Sequence, residues 1–207
     1  MKDPCKSDKL VVVKGGGDLA SGVIYRLLRA RFPVIVTELA APLFVRRTVS
    51  FGEAVYQGEV DIEGIKARRV NGPDAALALA AARGLPVVVD AQAAIVKALR
   101  PGLVVDGIMA KVNTGTRIDD APLVVALGPG FTAGVDCHVV VETMRGHWLG
   151  RLIYDGAAAA DTGTPGLVAG RDVDRVLRAP AAGQVHPSCA IGDRVEADEL
   201  IATVSGH

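Results

Sequence analysis

Three consecutive glycines, Gly15, Gly16 and Gly17, then Asp18 and, further on, Glu38 are the residues whose types and spacing could do chemistry. Gly15, Gly17 and Ala20 fit G-x-G-x-x-A, in which glycines permit a tight turn and let a phosphate approach a helix N-terminus. Glu38 stands 18 residues after Ala20, close to the roughly 20 at which an acidic residue meets a ribose hydroxyl. Asp18 argues the other way. Its carboxylate puts negative charge where an anion would sit, although it can also cap the helix and complement its dipole. Three readings stay open: a nucleotide or dinucleotide, a purely structural turn, or another ligand such as a molybdopterin-type cofactor.

The elements that must position these residues are legible nearby. Val11, Val12 and Val13 run into the glycines, and Val23, Ile24, Leu27 and Leu28 follow at helical spacing. A second apolar run over 32–37 stops at Glu38. Strands over 85–89 and 103–105 also end on acids, Asp90 and Asp106, and helices are expected over 75–83 and 91–100. Strands alternating with helices imply parallel βαβ units, which bring Glu38, Asp90 and Asp106 to the same sheet edge as the glycines. Asp90 suits a helix cap; Asp106 has no such role. Residues 58–70 read as a hairpin turning at Glu63 and Gly64. Arg46, with Arg47, lies just past the second strand, where a guanidinium fork suits phosphate; a solvated surface pair is the alternative.

Residues 110–120 are dense in hydrogen-bonding side chains and carry no period, so Lys111, Asn113 and Thr114 become candidate ligand residues. A strand over 122–127 then runs into Gly128, Pro129, Gly130 and Thr132, a turn whose backbone N–H groups could form an anion nest. Asp136, Cys137, His138 and His147 match no metal-ligand spacing, and His138 reads as a polar-site or structural histidine. Strands over 139–143 and 148–154 should pair antiparallel and end the sheet, before a small, polar linker over 157–166. Residues 173–207 resemble one half of a biotinyl/lipoyl-type barrel-sandwich module. No lysine follows Lys111, so neither biotin nor lipoyl can be carried there. The expected fold is α/β: a Rossmann-like, mostly parallel sheet with a terminal antiparallel hairpin over 1–172, plus a small β half-barrel over 173–207. Such a half would expose Val185, Ile191, Val195, Leu200, Ile201 and Val204, which predicts a homodimer joined through this tail.

Composition narrows the classes. Among 207 residues, 23 basic side chains balance 23 acidic ones, which gives no electrostatic reason to expect nucleic acid. Three widely spaced cysteines make neither a disulfide framework nor a zinc site. No apolar run reaches a membrane-spanning length, and residues 1–10 are too polar for a signal peptide, so a cytoplasmic protein is expected.

The motifs around 14–22, 46–56, 110–116, 127–136 and 142–147 together resemble the selenium-dependent molybdenum hydroxylase system proteins of the YqeB type. That resemblance spans about residues 10–204. It implies an accessory or maturation role for selenium-dependent molybdenum hydroxylases and a Rossmann-like domain shared with proteins that handle molybdenum cofactor. It also implies that relatives continue with the second half of the barrel motif. The expected ligand carries phosphate and is a nucleotide or molybdenum cofactor; the partner is a molybdenum hydroxylase. The alternative is an NAD(P)-dependent oxidoreductase. An oxidoreductase needs a positioned acid–base group, and Lys111, Asn113 and His138 are available, but no spacing selects a catalytic residue.

Overall fold

Branched side chains buried on both faces drive the first strand, β1 (Val11–Lys14), in which all four residues are buried. Helix α1 (Asp18–Arg29) follows directly from the glycines, and β2 (Val34–Glu38) repeats the apolar pattern. The computed structural model describes residues 9–164, 170 and 176–205. The expected boundary at 172/173, residues 165–166 of the expected linker, and Cys5 lie outside these residues.

After β2 come two short 3-10 turns, Arg47–Val49 and Phe51–Glu53, and a single helical turn, α2 (Ala54–Gln57). The expected hairpin follows as β3 (Glu59–Ile62) and β4 (Ile65–Val70), then α3 (Gly72–Ala81) and β5 (Leu85–Val89). Next are α4 (Ala94–Leu99), β6 (Leu103–Asp106) and β7 (Leu123–Leu127). Then come β8 (Thr132–Ala133), β9 (Val139–Val141), β10 (Leu152–Ile153) and β11 (Gly156–Ala157); β9 and β10 close the sheet, while β8 and β11 pair with each other apart from it.

Nine strands form one sheet in the order β10-β9-β7-β6-β1-β2-β5-β4-β3. Pairing is parallel from β4 to β9 and antiparallel only at the two ends, β3 with β4 and β10 with β9. Numbered along the chain, β1, β2, β5, β6, β7 and β9 take the doubly wound order 3-2-1-4-5-6, whose switch point lies between the first and fourth strands. Here those are β1 and β6.

Helices cover both faces. Ala20 and Ile24 of α1 pack with Val11, Val13, Val34 and Val36; Ala76, Ala80, Ile95 and Val96 of α3 and α4 pack with Val12, Ile35 and Val104. Each fully buried valine or isoleucine contributes about 1.5–3 kcal/mol relative to exposure. Among the described residues, no helix is long and apolar enough to cross a membrane.

Three expectations need correction. Between β9 and β10 the segment over 142–151 is a loop, because Glu142 turns the chain by accepting the Met144 and Ala159 N–H groups at 2.7 and 2.8 Å. The expected linker begins later, since Ala157 belongs to β11 and pairs antiparallel with Thr132. In the segment over 162–207, Val185, Ile191, Val195 and Leu200 are exposed as expected, but Ile201 is half-buried and Val204 buried. That unit, Thr162–His207, is compact in its own right, as is Met1–Asp161. Its described strands, β12 (Val185–Pro187) and β13 (Ala202–Val204), form an antiparallel pair.

Candidate functional site

The first glycine turn sits at the carboxyl end of β1, beside the switch point. Two of its glycines are demanded by the fold. Gly15 has φ +86°, and a Cβ there would lie 2.9 Å from Ile108 Cα; at Gly16 it would lie 2.7 Å from the Gly52 nitrogen. Gly16 carries the docking of the following segment: its carbonyl accepts the Gly52 N–H at 2.9 Å and the Ser21 hydroxyl at 3.2 Å. Ser21 Oγ in turn accepts the Phe51 N–H at 2.9 Å. Gly17 differs. It has φ −66° and ψ 179°, no side chain caps the helix there, and the nearest atom to an added Cβ is Phe44 Cδ1 at 3.8 Å. The first turn of α1 therefore presents backbone N–H groups that have no acceptor within the helix.

Charges around this turn are engaged with the protein. Glu38 accepts the Gly16 N–H at 3.1 Å through Oε1 and the Leu39 N–H at 3.1 Å through Oε2. Burial pushes its carboxyl above the ordinary range, opposed by those two N–H groups. Asp18 does not cap the helix; it pairs with Arg46. Arg47 forks onto Glu53, with Nε 2.9 Å from Oε2, and lies over the Tyr56 ring at 5.2 Å. The bond from Arg47 holds the Glu53 carboxyl below its usual range.

Below the turn, on the face opposite α1, is a buried polar cluster. Lys14 Nζ donates to Thr116 Oγ1 at 2.5 Å, and that hydroxyl donates to Asp106 Oδ2 at 2.5 Å. Lys14 and Asp106 lie 4.0 Å apart, and the three residues are 7%, 2% and 1% exposed. Asp106 Oδ1 also accepts the Ile108 N–H at 3.1 Å. The carboxylate is satisfied by bonds that pin the loop after β6, which explains the acid that had no cap role. Asp90 is not the N-cap of α4, a position held by Ala93, but its carboxylate reaches the helix start and accepts the Ile95 N–H at 2.9 Å.

The loop after β6 and the second glycine turn form one unit. Asn113 accepts the Thr116 N–H at 2.8 Å, and its amide donates to Thr116 O at 2.9 Å and Asp136 Oδ1 at 3.1 Å. Asp136 Oδ2 accepts the Thr132 N–H at 2.8 Å. Gly130, at φ +105°, has Val112 backbone 2.7 Å from where a Cβ would be, and the Gly128 Cβ position lies 2.6 Å from Thr143 Oγ1. The second turn commits the N–H groups of Gly128 and Gly134 to Val141 O and Cys137 O at 2.9 and 2.8 Å.

Thus Gly15, Gly16, Gly17, Asp18, Glu38, Arg46 and Asp106 gather at the switch point, with Gly128, Gly130, Asn113 and Thr132 joined to them through the loop after β6. Asn113 is an organiser of that loop. Lys111 reaches outward to Asp161 at 3.7 Å, and Thr114 is exposed. His138 is not brought to the crevice: its Nδ1 accepts the Val124 N–H at 3.0 Å, early in β7. Cys137 is buried, and burial, with the charge of Asp136, pushes its thiol up. Among the described residues, no group of three or more histidine, cysteine, aspartate or glutamate side chains could hold a metal ion.

Sequence reasoning missed Lys14, Ser21, Phe44, Gly52 and Thr116. Lys14 carried one signal, a lone cation closing an otherwise apolar buried strand. Thr116 shared the signal of the polar, period-free stretch over 110–120, within which nothing set it apart from its neighbours.

No protein-family model matches the chain, and no solved structure matches it. The chain is similar to a protein of Escherichia coli (strain K12) named uncharacterized protein YqeB, with 48% identity over 199 residues, which are 96% of this chain. It spans 37% of the length of that curated relative.

Proposed function

We propose that this chain binds a phosphate-bearing ligand, a nucleotide or molybdenum cofactor, at the crevice between β1 and β6, in an accessory role for selenium-dependent molybdenum hydroxylases. The observation that carries the binding is Gly17: neither its φ nor its surroundings require glycine, yet it stands at an uncapped helix N-terminus beside the switch point. The N–H groups of the first turn of α1 hold the phosphate. Arg46, half-exposed on its ion pair with Asp18, turns its fork to the same anion. Molybdenum cofactor is cargo in this reading, held by its phosphate arm, and the cytoplasm is where such loading takes place. The client and the maturation step rest on the sequence resemblance. A homodimer through 173–207 belongs to the same proposal, and light scattering on the intact chain tests it.

A second reading, an NAD(P)-dependent oxidoreductase, is favoured by Glu38, which ends β2 where a ribose-binding acid belongs. Retention of NAD(H), NADP(H), ATP and isolated molybdenum cofactor, measured by equilibrium dialysis on the chain and on Gly17→Val, separates the two. The expected result is retention of a phosphate ligand by the chain and its loss in the variant. Equal retention by both proteins would falsify the site, and retention of NAD(H) with turnover of a substrate would favour the second reading.

A further inference from the structure

At the opposite, amino edge of the sheet the helices α1 and α3 end in the same way. In α1 the Arg31 N–H donates to Leu28 O at 2.9 Å and the Phe32 N–H to Leu27 O at 3.0 Å. In α3 the Arg83 N–H donates to Ala80 O at 3.0 Å and the Gly84 N–H to Leu79 O at 2.9 Å. Both are Schellman motifs, whose left-handed C′ position normally belongs to glycine. Here the position is held by Arg31 (φ +66°) in one and Arg83 (φ +63°) in the other. Left-handed backbone is unfavourable for an L side chain, so arginine weakens each helix end relative to glycine.

Those two arginines line one cavity of about 680 Å³, together with Arg29, Lys66, Phe32 and Ile65. That volume is the size of a small-molecule site. No acidic residue lines it among the described residues. Lys66 has Glu59 at 3.9 Å, a partner it shares with Arg68. The side chains of Arg29, Arg31 and Arg83 take part in no ion pair among the described residues. The cations do complement two helix C-termini, but each terminus carries only about half a negative charge. Allowing one more for Glu59 leaves the four cations with a surplus of about two charges, in a chain of zero formal net charge.

We propose that this cavity is a second binding site, for a small dianionic phosphate compound whose phosphate oxygens meet the forks of Arg31 and Arg83 while its body lies on Phe32 and Ile65. Two guanidinium groups on separate helix ends suit a phosphate because each donates paired N–H groups in a plane. Phe32, at 39% exposed, supplies the apolar wall. The site lies at the other edge of the sheet from the glycine turn and stands whether or not that turn binds a ligand.

The test uses the full chain carrying Gly17→Val, so that the glycine turn cannot contribute, with inorganic pyrophosphate as probe in calorimetric titration at low salt. The expected result is binding that weakens at least tenfold in the Arg31→Gly/Arg83→Gly double variant, accompanied by a rise in Tm as the left-handed strain is relieved. Opposite movement of affinity and stability is what a purely structural role cannot produce. Three results overturn the proposal: no binding to the Gly17→Val chain, equal binding with and without the arginines, or a fall in Tm in the double variant.

Discussion

After β7, Gly128 and Gly130 take φ of +75° and +105°, and a Cβ on either would meet other atoms at 2.6 and 2.7 Å. After β1, Gly15 and Gly16 are held just as tightly, but Gly17 has extended backbone, and a Cβ there would make only an ordinary contact with Phe44 at 3.8 Å. The two turns look alike as strings of letters and use glycine for different ends. In the second, glycine lets three loops close on one another, and protein acceptors take the N–H groups of Gly128 and Gly134. In the first, one glycine of three has no such employment. A glycine-rich turn after a parallel strand is therefore not yet an anion site; the informative residue is the one the fold does not need.

The contrast is broken most severely at Gly130. Alanine there combines a disallowed φ with backbone contact, and should cost about 3 kcal/mol, measured by urea denaturation; a loss below about 1 kcal/mol would show that the loop after β6 can give way. Gly16→Ala should cost about 2 kcal/mol, because its Cβ would drive the Gly52 segment off the turn. Gly15 and Gly16 would join Gly17 as spare glycines if their alanine variants proved neutral.

Thr116 fixes the loop lying between the two turns. Thr116→Val removes the hydroxyl linking Lys14 to Asp106 and leaves two buried charges 4.0 Å apart. About 2 kcal/mol should be lost; hydrogen exchange at residues 110–116 should rise with it, and unchanged protection would mean the loop is held elsewhere.

Glu53→Gln probes the segment that rests on Gly16. The Glu53 carboxyl is held below its ordinary range by Arg47. Its stabilisation is therefore present above the unfolded glutamate value of about 4.3 and is lost as pH falls through the lower folded value. Because Arg47 is half-exposed, the loss at neutral pH should be about 1 kcal/mol. The two stability curves should converge in acid, and a constant gap down to pH 2 would exclude the ion pair as the cause. The smallest effect belongs to Gly17→Ala, about 0.5 kcal/mol or less. A large loss there would erase the difference between the two turns.

The sequence by itself determined the layout of the sheet. Val-rich runs ending on Gly15, Glu38, Asp90 and Asp106, separated by helix-length segments, admit few arrangements other than parallel strands with their carboxyl ends together, because burial and short crossovers leave the chain little choice. Local chemistry was equally legible: Glu63 and Gly64 do turn the hairpin, and Asp90 does bond the first turn of a helix, from three residues before its N-cap. What each polar residue does was decided by tertiary structure. Asp18 had a local role available as a cap, yet Arg46, 28 residues away, takes its carboxylate. Asn113 and His138 could have served chemistry, and long-range bonds to Asp136 and Val124 use them for structure instead. Nothing local distinguishes Gly17 from Gly16, since the atoms that crowd one and spare the other belong to residues 44 and 52. Hydrophobic period is a property of neighbours along the chain, whereas the partner of a buried polar group or a glycine is fixed only when distant segments meet.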